Sequence, residues 1–103
     1  ALELLLTGAH ISAEEARLIG LVNRVVPATE LMTEAKALAR ELASKAPVAV
    51  RAIIGAVNEG LEMPLSQAVA HEAVLFGLVA STEDVREGTR AFLEKRKPVF
   101  KGS

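Results

Sequence analysis

Between Glu30 and Ser44 the apolar residues Leu31, Ala35, Leu38 and Leu42 return at spacings of three and four, with Met32, Ala39 and Ala43 widening the stripe. That period is the mark of an amphipathic helix, and it is the clearest in the chain. Ala1–Thr7 is apolar apart from Glu3 and helix-like, with Gly8 as its stop. Ser12-Ala13-Glu14-Glu15 places a carboxylate three residues after a hydroxyl, a capping box ahead of Ala16, Leu18 and Ile19, and Gly20 closes this short helix. Leu21–Val26 reads as a brief extended stretch ended by Pro27. Pro47 suits the first turn of a helix running to about Glu59, after which Gly60 and Pro64 break the pattern. Leu65–Ala80 has apolar residues nearly all round, which suits a core or an interface rather than a surface. Ser81-Thr82-Glu83-Asp84 supplies a cap and an acidic first turn for a last helix, expected to run towards Lys97 and to stop at Pro98. No repeat, linker or low-complexity block interrupts the chain, so residues 1–103 read as a single helical unit.

Composition agrees with an all-α chain of about five to six helices. Half of the 103 residues are apolar, and nearly all of these are Ala, Leu, Val and Ile; there are three Phe and no Trp or Tyr. Ala and Leu favour helix, while the aromatics that enrich strands are scarce. A domain of this length buries roughly 60–70% of the surface that its unfolded chain exposes, so its stability alone is marginal. A net charge of −1 provides no field for nucleic acid or an anionic membrane. Without cysteine there is no disulfide, thiolate nucleophile or thiolate metal site, which fits a cytoplasmic location. No apolar run approaches the ~20 residues of a membrane span. The chain starts at Ala1 inside an apolar stretch and without Met, as a piece excised from a longer protein would.

The candidate chemistry is thin. His71-Glu72 begins like a zinc-protease helix, but that motif needs a second His where Leu75 stands, so no metal site is expected and His71 reads as a surface or interface residue. His10 sits in a Gly-Ala-His loop with no nucleophile beside it. Glu14 and Glu15 are adjacent, hence about 100° apart around a helix, and cannot readily converge on one substrate atom. Gly88, inside a helical segment, implies close packing. Lys95, Arg96, Lys97 and Lys101 form a basic cluster that reads first as a solvated helix end complementing the dipole. Phe92, seven residues after Val85, and Phe76 both read first as core residues.

Several strings, in order, resemble the crotonase (enoyl-CoA hydratase) family downstream of its catalytic core. They are Leu4-Leu5-Leu6-Thr7-Gly8, Ile11-Ser12-Ala13-Glu14-Glu15-Ala16 and Gly20-Leu21-Val22-Asn23-Arg24-Val25-Val26-Pro27. Ala46-Pro47, the Phe76 region, Thr82-Glu83-Asp84 and Glu87-Gly88 follow, and then Ala91-Phe92-Leu93-Glu94-Lys95-Arg96-Lys97-Pro98 and Phe100-Lys101-Gly102. The resemblance covers essentially the whole chain. It implies the helical, trimerising C-terminal segment of an α/β enzyme that acts on acyl-CoA thioesters without a tightly bound cofactor. In that family two backbone N–H groups polarise the thioester carbonyl and, in the hydratase branch, two glutamates handle the added water. Those groups lie upstream of the region matched here, so no catalytic residue is expected in this chain, and alone it is expected to be inactive.

The resemblance further implies a homo-oligomer, a trimer or a dimer of trimers for the full-length protein and a dimer or higher form for this segment. It assigns Phe76, Phe92 and Lys95 to the adenosine end of CoA, with Phe92 and Lys95 as neighbours on one face of the last helix. Many members carry Lys where this chain has Ile54, so a polar role at that position is not carried over. The rival reading is a free-standing helical oligomerisation module with no ligand. Hydratase, isomerase, dehydratase and thioester hydrolase are not separable on these residues, nor is acyl-chain length.

Overall fold

A computed structural model describes residues 2–103; Ala1, the first residue of the expected opening stretch, lies outside them. Among the described residues the secondary structure is all helical: α1 (Leu2–Thr7), α2 (Ala13–Leu18), α3 (Leu31–Ala43), α4 (Pro47–Gly60), α5 (Leu65–Ala80) and α6 (Glu83–Leu93). The all-α expectation and the number of helices hold. The stretch expected to be extended, Leu21–Val26, forms no strand. The residues fall into two compact units, one ending at Lys36 and one spanning Ala37–Ser103, with the boundary inside α3.

In the first unit the capping box forms as the sequence implies. Ser12 Oγ accepts from the Glu15 amide at 3.2 Å, while Glu15 Oε2 accepts from the Ser12 amide at 2.7 Å. The bond from the Ser12 amide, helped by the Ser12 hydroxyl, holds the Glu15 carboxyl below the usual carboxylate range. Glu14 instead pairs with Arg17 at 3.1 Å, so the adjacent carboxylates serve the helix and not a substrate. Gly20 takes φ +75°, and the amides of Gly20 and Leu21 return to the carbonyls of Arg17 (3.1 Å) and Ala16 (2.8 Å). These two bonds make a Schellman ending that a residue with a side chain enters only with strain. Ala16, whose carbonyl closes the motif, is also the buried side chain of this unit.

The second unit is organised by the α4–α5 hairpin. A Cβ added to Gly60 would lie 3.4 Å from the Ala68 Cβ, so the helices approach closely where the chain turns. Thr82 then caps α6, accepting from the Val85 amide at 3.3 Å and donating to the Val79 carbonyl at 2.7 Å. Helix α6 stops at Leu93 and does not run on towards Lys97 as its sequence suggested. Glu94 is its C-cap and Lys95 adopts φ +55°. The Lys95 amide bonds the Phe92 carbonyl (3.2 Å) and the Arg96 amide bonds the Ala91 carbonyl (3.0 Å), a second Schellman ending built on a lysine. The remaining residues fold back along α6. There the Phe100 ring lies 3.5 Å from where a Gly88 Cβ would stand, the close packing that a helical glycine implied.

Very little of this unit is closed off from solvent. Ala91 and Asp84 are its buried residues; most of the large apolar side chains are exposed, and others, such as Leu75, Val79 and Phe100, are half-buried. Phe76 is 74% and Phe92 82% exposed, so neither is a core residue within this chain.

Candidate functional site

Two places gather the side chains that sequence reasoning singled out. The first is the end of α6. Because the helix stops at Leu93, Phe92 and Lys95 are not neighbours on one helical face; Lys95 stands beyond the C-cap, in a left-handed turn. Both are exposed, and among the described residues the Lys95 ammonium takes part in no ion pair. An uncovered ring and an unpaired cation therefore share one turn of chain.

That turn is fastened to the body of α6. Arg96 Nη1 and Nη2 reach Glu87 Oε1 and Oε2 at 2.6 and 2.9 Å, a two-pronged pair across nine residues. Arg96 Nε also donates to Glu94 Oε2 at 2.6 Å, and the Val99 amide donates to Glu87 Oε1 at 2.9 Å. The forked guanidinium suits this geometry where an ammonium would not. Further along, Asp84, 3% exposed, accepts from the amides of Lys101 (2.7 Å) and Gly102 (2.8 Å). Its own amide donates to the Ser103 carbonyl at 3.2 Å. Gly102, at φ +79°, brings the tail within 3.4 Å of the Pro47 ring, measured from where its Cβ would stand. Thus Arg96, which read as part of a solvated basic helix end, is the residue that ties the turn down.

The Arg96 guanidinium, and after it the Val99 amide, hold the Glu87 carboxyl down at about 2, against an ordinary 4.5. Its partner Arg96 is shifted upward, first by Glu87 and then by Glu94. A carboxyl lowered on folding lends stability that is complete above its ordinary value and lost as the pH falls through the folded one. For Glu87 that window runs from about pH 4.5 down to about 2. Carbon-13 titration should accordingly place the Glu87 midpoint near 2, and Glu87→Gln should remove that part of the acid sensitivity. A midpoint at the ordinary value would mean that the pair is open in solution.

The second place is an apolar groove of about 380 Å³ along the α4–α5 hairpin, walled by residues such as Ile53, Val57, Leu65, Val69 and Phe76. Neither Phe92 nor Lys95 lines it, so the three residues assigned to adenosine are divided between two sites. His71 lies on the same hairpin, its Nε2 buried and 3.2 Å from Glu59 Oε2, but not aligned for a hydrogen bond. No cluster of three or more metal-ligating side chains exists among the described residues. Ile54 is exposed and apolar and brings no polar group.

Asp84 and Glu87 were not singled out for these bonds. Their i, i+3 spacing on α6 was legible, but in sequence Asp84 is one of two acids in a first turn, which the helix dipole suffices to explain. Nothing local announces that the tail returns to them.

The Enoyl-CoA hydratase/isomerase family model matches residues 1–103. A short-chain-enoyl-CoA hydratase of Clostridium acetobutylicum is 45% identical over 94% of this chain and 37% of its own length. A crotonyl-CoA hydratase of Syntrophomonas wolfei is 47% identical over 97% of this chain and 38% of its own. The crystal structure of an enoyl-CoA hydratase from Bacillus anthracis superposes with a TM-score of 0.93 at 40% identity, covering 98% of this chain and 39% of that one. The chain thus spans about two-fifths of the length of these relatives. No described helix is long and apolar enough to cross a membrane.

Proposed function

The chain belongs to the enoyl-CoA hydratase/isomerase family, and from that membership we propose that it is the C-terminal segment of an enzyme adding water to 2-enoyl-CoA thioesters. The carrying observation is a family match along all 103 residues, together with close superposition on two-fifths of a solved hydratase. In the proposed enzyme the segment serves assembly and covers the adenosine end of the acyl-CoA, which is substrate and not resident cofactor. A cytoplasmic location belongs to the same reading, and the cysteine-free sequence supports it.

Two features support the division of labour. The groove and the exposed faces of α5 form apolar surface of the kind that normally marks an interface. Leu65, 80% exposed, and Phe76 leave part of α5 uncovered within its own unit. The isolated chain should therefore self-associate into dimers or larger forms, and the full-length protein into a trimer or a pair of trimers. Sedimentation of the isolated chain at tens of micromolar checks this, and a well-folded monomer would contradict it.

The ring of Phe92 and the free ammonium of Lys95 make up the other feature. An aromatic face stacks on a base and an ammonium meets a phosphate or a ring nitrogen, the two chemistries that an adenosine phosphate presents. In the full-length enzyme Phe92→Ala should weaken the CoA thioester by about 1–3 kcal/mol, by analogy with base stacking elsewhere. Lys95→Ala should cost less and should fade with added salt. Both should appear as a raised KM with nearly constant kcat, because the nucleotide lies far from the reacting bond. A pantetheine thioester, which lacks the nucleotide, should be much less affected. Equal losses on both thioesters would return Phe92 to a packing role.

A further inference from the structure

We propose that Glu87, acting through Arg96, is a positioning residue for the nucleotide end of the acyl-CoA; this rests on the adenosine reading of Phe92 and Lys95 given above. Lys95 occupies a left-handed conformation that glycine adopts without strain and a lysine does not, so something must hold the turn there. Its two flanking residues are the ones that are held. Glu94 and Arg96 are joined at 2.6 Å, and Arg96 is bonded through both Nη atoms to Glu87, about one and a half turns before Phe92 on α6.

The Val99 amide closes the loop onto the same Glu87 oxygen that takes Arg96 Nη1, so the chain is fastened on both sides of Pro98. Glu87 touches neither of the two free groups. It determines instead where the backbone carrying Lys95 stands relative to the last turn of α6, where the Phe92 ring is exposed. A free lysine at an unfastened helix end samples many positions, and ordering it would have to accompany each binding event. A lysine whose turn is already held meets the phosphate with the backbone part of that cost removed.

The test uses the full-length enzyme and compares kcat/KM for a crotonyl-CoA substrate with that for the corresponding pantetheine thioester. The variants are Glu87→Gln and Arg96→Lys, the latter keeping the charge while losing the fork. Phe92→Ala and Lys95→Ala are measured alongside, and Arg86→Ala, whose exposed partner is Glu83, serves as the control. The expected result is a fall of about threefold to fivefold in the CoA-to-pantetheine ratio for Glu87→Gln and Arg96→Lys, in KM and not in kcat, the size of an exposed cation contact. The control should leave the ratio unchanged. An unchanged ratio in Glu87→Gln and Arg96→Lys, with Phe92→Ala and Lys95→Ala still lowering it, overturns the positioning role and keeps the adenosine reading. Equal losses on both substrates also overturn it, by showing a merely structural role. An unchanged ratio in Phe92→Ala and Lys95→Ala removes the adenosine reading and the proposal with it. Should Glu87→Gln fail to fold, Arg96→Lys decides alone.

Discussion

Given crotonyl-CoA, the isolated 103-residue chain is expected to yield no hydration above the rate in buffer. Hydration of the double bond needs a donor pair on the thioester oxygen and groups that move protons at the two carbons. Losing one oxyanion donor costs about 10²–10³ in rate, and losing general acid–base catalysis about 10²–10⁴. Carboxylates that the structure organises are already committed, among them Glu87 to Arg96 and the Val99 amide, Asp84 to the amides of Lys101 and Gly102, and Glu15 to Ser12. Among the described residues the one approach of a histidine to a carboxylate, His71 to Glu59, has a buried Nε2 that is not aligned for a hydrogen bond. A coupled assay following hydration of crotonyl-CoA decides the matter, and turnover clearly above buffer would refute the division between this segment and a catalytic core elsewhere.

Asp84→Ala should give the largest stability loss of any single substitution in the second unit. The carboxylate is nearly buried and takes two backbone amides of the tail, at 2.7 and 2.8 Å. Hydrogen bonds to a charged acceptor contribute about 1.5–3 kcal/mol each, and amides left without an acceptor carry a desolvation penalty of similar size. The two bonds share one partner and do not add fully, so a loss of about 3 kcal/mol is expected. Few buried apolar side chains stand behind them to hold the tail once they are gone. Amide hydrogen exchange reads the result: Lys101 and Gly102 should lose protection in Asp84→Ala, while Asp84→Asn, with one good acceptor left, should fall between. Protection unchanged in Asp84→Ala would show that the Phe100 and Pro47 contacts hold the tail by themselves.

The helices were legible because their signals are local. The period of α3, the Ser12/Glu15 box, Pro47 at the start of α4 and Thr82 ahead of α6 each act through residues three or four apart, and each appears where the sequence places it. Gly20 as a left-handed stop is local in the same sense. The family, too, was readable from ordered strings along the chain.

The end of α6 was not legible. Glu94, Lys95, Arg96 and Lys97 are all acceptable helix residues, so composition alone carries the helix forward to Pro98. Pro98 rules out a helical bond to the Glu94 carbonyl, but the ending at Leu93 also goes with a bond between Arg96 and a glutamate nine residues back, and with a tail that returns to Asp84 from 17 and 18 residues away. Separations of that size leave no periodic trace, because a side chain's distant partner is chosen by the path of the backbone and not by its neighbours in sequence. The same reason explains Phe76 and Phe92. Their apolar character was plain, but whether a ring is covered depends on what packs over it, and the described residues leave both rings mostly exposed.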